Sequence, residues 1–95
     1  MVAIRFETAI RYWNPETASG LAVADIPQEH HAAIGGLRQQ RVAGTINGAA
    51  FTSNVMPAGG GRLALSVSKA MQQAAKAGIG DRIAVEIASV GKDPG

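Results

Sequence analysis

Apolar and polar residues alternate strictly over residues 2–12. Val2, Ile4, Phe6, Thr8, Ile10 and Tyr12 fall on one face, and Ala3, Arg5, Glu7, Ala9 and Arg11 on the other. A period of two is the mark of a strand with one face buried. Asn14 and Pro15 break the pattern, and the stretch up to Gly20 reads as a loop. Residues 21–26 are more uniformly apolar, as in a second strand. Pro27 then suits the first turn of a short helix reaching Ile34, which Gly35 and Gly36 end by adopting the left-handed stop conformation.

The strongest local signal is the pair Asn47 and Gly48 between two strand-like runs, 41–46 and 49–56. Both residues accept positive φ, which a two-residue type I′ hairpin turn requires. That turn sets the register: Ile46 opposite Ala49, Gly44 opposite Phe51, Val42 opposite Ser53. Val42, Ile46, Phe51 and Val55 then share the core side, with Phe51 covering the bare Gly44. Ala43, Thr45, Thr52 and Asn54 share the other side.

Residues 57–61, rich in Gly, read as a loop, and 63–67 as a short strand. Ser68 is positioned to cap a helix running to Ala77, whose Ala70, Met71, Ala74, Ala75 and Ala77 recur at helical spacing. A turn at residues 78–81 leads into a last alternating strand, 82–90. No internal repeat is evident. Strand, strand, short helix, hairpin, strand, helix, strand closes most naturally as a small, mainly antiparallel β-barrel of about six strands with two short helices.

Composition sharpens this picture. Ninety-five residues allow one domain, expected to span 1–90 with 91–95 as a loose tail. Eighteen Ala and 12 Gly make up 30 positions, and only Phe6, Tyr12, Trp13 and Phe51 are aromatic. The core therefore rests on Val, Ile, four Leu, three Met and these rings. The absence of cysteine excludes a disulfide scaffold and thiolate metal ligation, and fits a reducing cytoplasm. The net charge of +2 is spread along the chain without a basic run, which argues weakly against a monomeric nucleic-acid binder. No signal-peptide pattern and no 18-residue apolar run is present, so no membrane partner is expected.

These residues carry a resemblance. Arg-Val-Ala-Gly-Thr-Ile-Asn-Gly-Ala-Ala-Phe at 41–51, the Pro and Gly residues of 57–61, Leu-Ser-Val-Ser-Lys-Ala at 65–70 and Gly80 before Asp81 follow one another as in a bacterial family of domains of unknown function, DUF1905. Ile26, Pro27 and the opening strand fit as well. The resemblance implies a double-split β-barrel, similar in architecture to swapped-hairpin DNA-binding regulators and antitoxins, and brings no activity with it. The Gly-Asp turn suits the barrel because an Asp carboxylate accepts backbone N–H groups in a tight turn. Relatives often carry a Trp before the Pro of the second strand and a basic pair in the second helix. This chain reads Gly20, Leu21, Ala22, Val23 and Gln72, Gln73 at those places.

Candidate chemistry is sparse. His30 and His31 point about 100° apart on a helix, so they cannot readily share a metal, and they read as solvated helix surface. Gly59, Gly60, Gly61 and Arg62 offer backbone N–H groups to an anion, but lack the Lys and the following helix of a P-loop. They read as a mobile loop. Thr45, Asn47, Thr52, Ser53 and Asn54 read as turn chemistry and a wet strand face. Ser66 and Ser68 lack a His–Asp partnership. Glu7 between Arg5 and Arg11 predicts exposed cross-strand pairs of small energetic value. Tyr12 and Trp13 end the first strand, where rings cap a core or stack on a planar ligand.

The leading functional expectation is a non-catalytic barrel that binds a small molecule or peptide, because few large side chains leave interior volume. Its expected lining is Tyr12, Trp13, Val42, Phe51, Val55, Arg62 and Met71, with no metal and no cofactor. A homodimer would let so small a chain share apolar surface. Nucleic-acid binding is the alternative, with Arg5, Arg11, Arg41 and Arg62 converging. An enzyme using His30, His31 or Asp81 comes third.

Overall fold

A computed structural model describes residues 3–13, 21–34, 36 and 39–90. The expected loop at 14–20, the helix-stop Gly35 and the expected tail at 91–95 lie outside them. Six strands form a closed barrel: β1 (Ala3–Tyr12), β2 (Ala22–Ile26), β3 (Gln40–Ile46), β4 (Ala49–Gly59), β5 (Arg62–Val67) and β6 (Arg82–Ser89). Their order around the barrel is β1-β2-β5-β4-β3-β6, every seam antiparallel. A mainly β, six-stranded barrel is thus what the chain forms. The second of the two expected helices is α1 (Lys69–Ala75); the first is a single 3-10 turn at Gln28–His30.

Two seams split. β1 pairs with β2 only through Ile10, Arg11 and Tyr12, then diverges. The chain leaving β2 enters the 3-10 turn, where His30 meets the ring of Phe6 with centroids 5.7 Å apart. In the same way β4 pairs with β5 only from Val55 onward, and α1 follows β5 and packs against β4. At this second split the Ser53 hydroxyl donates to the Ser66 carbonyl at 2.7 Å, satisfying a group the ladder no longer reaches.

Alternation places the core. Ile10, Ile46, Leu63, Leu65, Ile83, Ile87, Val42, Val55 and Val67 are fully buried and face inward. Met71 and Ala75 of α1 and Ile34 after the 3-10 turn join the same cluster, with Phe6 and Phe51 packed against it. β2 is buried on both faces at Val23, which lies on the outer side beside Asp25.

The β3–β4 hairpin has the expected register, with Ile46, Gly44 and Val42 opposite Ala49, Phe51 and Ser53. Asn47 and Gly48 take φ of 51° and 86°, as a type I′ turn needs. Asn47 does more than turn the chain. Its Nδ2 donates to the Ala75 carbonyl at 3.3 Å, and its Oδ1 accepts from the Ala84 N–H at 2.9 Å. Its own N–H donates to the Ala84 carbonyl at 2.8 Å. The hairpin tip is thereby tied to α1 and β6. With the Ala75 carbonyl engaged, α1 ends there and Lys76 turns left-handed at φ 57°, so the helix stops short of the expected Ala77. Replacing Asn47 with Gly keeps the turn geometry but removes both side-chain bonds. A loss of about 1–2 kcal/mol in chemical denaturation is expected, and more for Asn47→Ala, which also strains the positive φ.

Ser68 caps α1 as expected. Its hydroxyl accepts from the Met71 N–H at 3.1 Å, and its N–H donates to Met71 Sδ at 3.4 Å. The Asp81 carboxylate accepts from the Gly78 N–H at 2.9 Å, the role the Gly-Asp turn predicts. This turn docks on β1, since Gly80 N–H donates to the Ile10 carbonyl and Ile10 N–H to the Asp81 carbonyl.

Two expectations need correction. Residues 57–61 are not an open loop: β4 runs through Pro57 to Gly59, and Gly60 and Gly61, both at positive φ, form the two-residue turn to β5. Pro57 is tolerated because it sits where the ladder shifts register between Pro57 and Gly59. His31 is not solvated helix surface. It is buried, and its Nε2–H donates to the Ile26 carbonyl at 2.8 Å, closing the end of β2. The strand registers also carry a pseudo-twofold repeat that the side chains do not announce: exchanging β1 with β4, β2 with β5 and β3 with β6 reproduces the ring order, and the axis crosses the sheet where Ala24 faces Leu65 and Thr45 faces Glu86.

Candidate functional site

The residues expected to line one interior site occupy different environments. Val42, Val55 and Met71 are part of the closed core, and Phe51 packs against it. Tyr12 is 45% exposed at the end of β1. Trp13 follows it, half-buried, its N–H bonded to the Leu21 carbonyl at 2.7 Å. Arg62 is exposed beside the Gly60 and Gly61 turn.

Concave surface instead lies on the outside of the barrel. A groove of about 520 Å³ runs along β6, with residues 84–86 as its floor. Arg5, Phe6 and Glu7 of β1 form one wall, and Thr45 with Gly48 of the hairpin form the other. The hairpin wall exists because Asn47 pins the turn over β6. A second hollow of about 290 Å³ adjoins it, sharing Thr45 and Glu86 and continuing over Ala3, Ala43 and Ala88. A third, of about 440 Å³, lies beside the end of α1, among Lys69, Gln72, Gln73, Lys76 and Asp81.

Charge in the first groove has both signs. Arg5 Nε lies 3.4 Å from Glu86, and Arg82 lies 3.6 Å from Glu7, each pair spanning the β1–β6 seam. These are the exposed cross-strand pairs the sequence predicts. Such pairs add little to stability, so their charges are available to a ligand at small cost. Sequence reasoning named Arg5 and Glu7 but not the groove, because the hairpin wall comes from a contact nearly forty positions away.

A different pair is structural. Arg11 of β1 reaches across Val23 and grips Asp25 with two hydrogen bonds, Nε at 2.7 Å and the terminal amino group at 2.8 Å. The hydrogen bonds from Arg11 hold the Asp25 carboxyl below the usual carboxylate range, with smaller attraction from Arg11 and Arg62 opposing the cost of burial. A depressed pKa stabilises the fold above the ordinary carboxylate value and loses that contribution as pH falls through the folded-state value. Denaturation of wild type and Asp25→Asn is therefore expected to differ by ~1 kcal/mol or less near neutrality, both groups being partly solvated, and to converge only as pH falls below the ordinary carboxylate value and through the lower folded-state one.

His30 lies 3.6 Å from Glu29 and against Phe6. Among the described residues no three His, Asp or Glu side chains are grouped as a metal site, and no helix is long and apolar enough to cross a membrane.

A closed six-stranded barrel split at two seams, each split followed by a helical segment, defines the class of protein. Residues 6–87 match the family model described as Domain of unknown function (DUF1905), and the chain belongs to that family. No curated protein matches the chain.

Proposed function

We propose that the domain is a non-catalytic binding module, and that its ligand lies in the outer groove along β6. The observation that carries this reading is the groove itself: about 520 Å³, within the usual range for ligand sites, with Arg5, Glu7 and Glu86 on its walls and floor. Side chains of both signs suit a ligand that carries an ammonium and a carboxylate, either a small zwitterion or a short peptide. The alanine at 84 and the hairpin glycine at 48 leave the floor open to a close approach. The nucleic-acid alternative has less support. Arg11 is committed to Asp25 and Arg5 faces Glu86, so two of the four arginines it requires already have acidic neighbours.

The test is a thermal-shift screen with zwitterionic metabolites and short peptides, because a ligand of the folded state raises the melting temperature. A hit whose stabilisation is lost in both Arg5→Ala and Glu7→Ala supports the groove. No hit, or one indifferent to both substitutions, removes it.

A further inference from the structure

Asn47 carries a chemistry beyond its role in the turn. Of the chain's three asparagines, Asn14 precedes a proline, Asn54 precedes a β-branched valine and Asn47 precedes a glycine. An asparagine amide followed by glycine is open to attack by the next backbone nitrogen, because no side chain hinders the approach. At this site the Gly48 nitrogen gives up its proton and bonds to Cγ of Asn47. The bond from Cγ to Nδ2 breaks and ammonia leaves, closing a cyclic imide. Water then adds to either ring carbonyl. One opening yields aspartate, and the other yields isoaspartate, in which the backbone runs through the former side chain. Water is the only co-reactant, and Asn47 and Gly48 are both exposed to it.

The folded turn blocks the first step. With Asn47 at φ 51° and Gly48 at φ 86° the turn is type I′, and the first central residue of such a turn has ψ of about +30°. For an L residue that angle sets the following nitrogen on the far side of the Cα–C bond from Cβ, away from Cγ. Ring closure needs the two on the same side, so the Asn47 peptide must swing over, and the hairpin does not survive that rotation. The amide is also held at both ends. Nδ2 donates to the Ala75 carbonyl at 3.3 Å, and Oδ1 accepts from the Ala84 N–H at 2.9 Å. These partners belong to α1 and β6, so attack on Cγ requires the hairpin tip to lift from both.

The product does not fit back. The atom that donated to the Ala75 carbonyl becomes a carboxylate oxygen, and two acceptors then face each other. Isoaspartate also lengthens the backbone by a methylene in a two-residue turn whose length sets the β3–β4 register.

We infer that Asn47 is a self-modification site controlled by its own contacts with α1 and β6. The amide survives while the hairpin tip is closed, is lost when the tip opens, and its loss holds the tip open. The change runs one way, and it withdraws the wall that Thr45 and Gly48 give the outer groove.

The full chain, incubated at mildly alkaline pH both folded and in guanidinium chloride and then digested with trypsin, tests this. The fragment 42–62 carries both Asn47 and Asn54, so Asn54 is an internal control. Mass spectrometry is expected to show conversion of the Asn47 amide to a carboxylate about tenfold or more slower in the folded chain, because there it waits on local opening. Equal rates in the two conditions, or a denatured chain that keeps the Asn47 amide, overturn the inference. The converted chain, separated by ion exchange and returned to native buffer, is expected to exchange its amide hydrogens at positions 47 and 84 faster than the unmodified chain, with β2 and β5 protected as before. Should that product not refold, Asn47→Asp gives the same readout for the charge alone. Protection of both amides at the unmodified level would mean that loss of the amide does not hold the tip open.

Discussion

Gly44→Ala is expected to lower stability by ~3 kcal/mol or more, enough to drop the melting temperature by roughly 12 °C in a domain of this size. A methyl group at Gly44 would stand 1.8 Å from the Glu86 carbonyl oxygen and 2.8 Å from the Ile87 Cα. Both are backbone atoms of a paired strand, so neither can turn away as the end of a side chain would. Relief would require β3 to lift from β6, breaking the pairing of Gly44 with Ile87. The control is Gly48→Ala. That site has open space around it, and its φ of 86° makes the cost one of backbone strain alone, about 1–2 kcal/mol. Chemical denaturation of the two variants ranks the mechanisms. If Gly44→Ala proves no worse than Gly48→Ala, the close approach of β3 and β6 is not what requires glycine here.

Gly44 also marks a boundary of what the sequence makes legible. The hairpin rule correctly sets Phe51 opposite Gly44, because Asn47 and Gly48 fix a local register. Local rules suggest that the glycine makes room for the ring. The atoms a side chain would strike belong to β6, more than forty positions away, and no pattern near Gly44 announces them. The same division runs through the fold. Ser68 and Asp81 are readable because each acts on a backbone group three residues away. His31 is misread as solvated because its partner is the carbonyl that ends β2, a group exposed only where β1 diverges. Pro57 suggests the end of a strand, yet a proline at a register shift costs the ladder little.

The candidate site divides likewise. Alternation in β1 identifies Arg5 and Glu7 as outward, charged and weakly paired. The groove they border needs the hairpin tip laid over β6 by Asn47, which only the closed barrel supplies. The repeat is hidden for another reason. A pseudo-twofold barrel needs its halves to match in register and in inward-facing polarity, not in side-chain size. Ala22, Ala24 and Ile34 correspond to Leu63, Leu65 and Ala75, so matched positions differ in size and identity is lost; where the axis crosses the sheet, small Ala24 faces large Leu65.

That complementarity predicts the outcome of exchanging two residues across the axis. Ala24 and Leu65 face each other on adjoining strands, both fully buried, in a row that continues to Ile10 and Val55. Leu65→Ala leaves a cavity flanked across the strands by Ala24 and Val55, both smaller than the side chain removed, and a loss of about 3–5 kcal/mol is expected. Ala24→Leu sets two leucines against each other in a closed interior and is expected to cost about 1–3 kcal/mol through overpacking. The double variant restores one leucine and one alanine to the same pair. Because the axis passes between them, each side chain enters the environment its counterpart has left. The two losses are therefore expected not to add: the double variant should recover more than half of the Leu65→Ala deficit, a coupling of about 2 kcal/mol or more in a double-mutant cycle. Urea denaturation of the four proteins measures it. Additive losses would mean that the two halves, though matched in register, do not present equivalent interiors, and that the core distinguishes the strands the ring order makes alike.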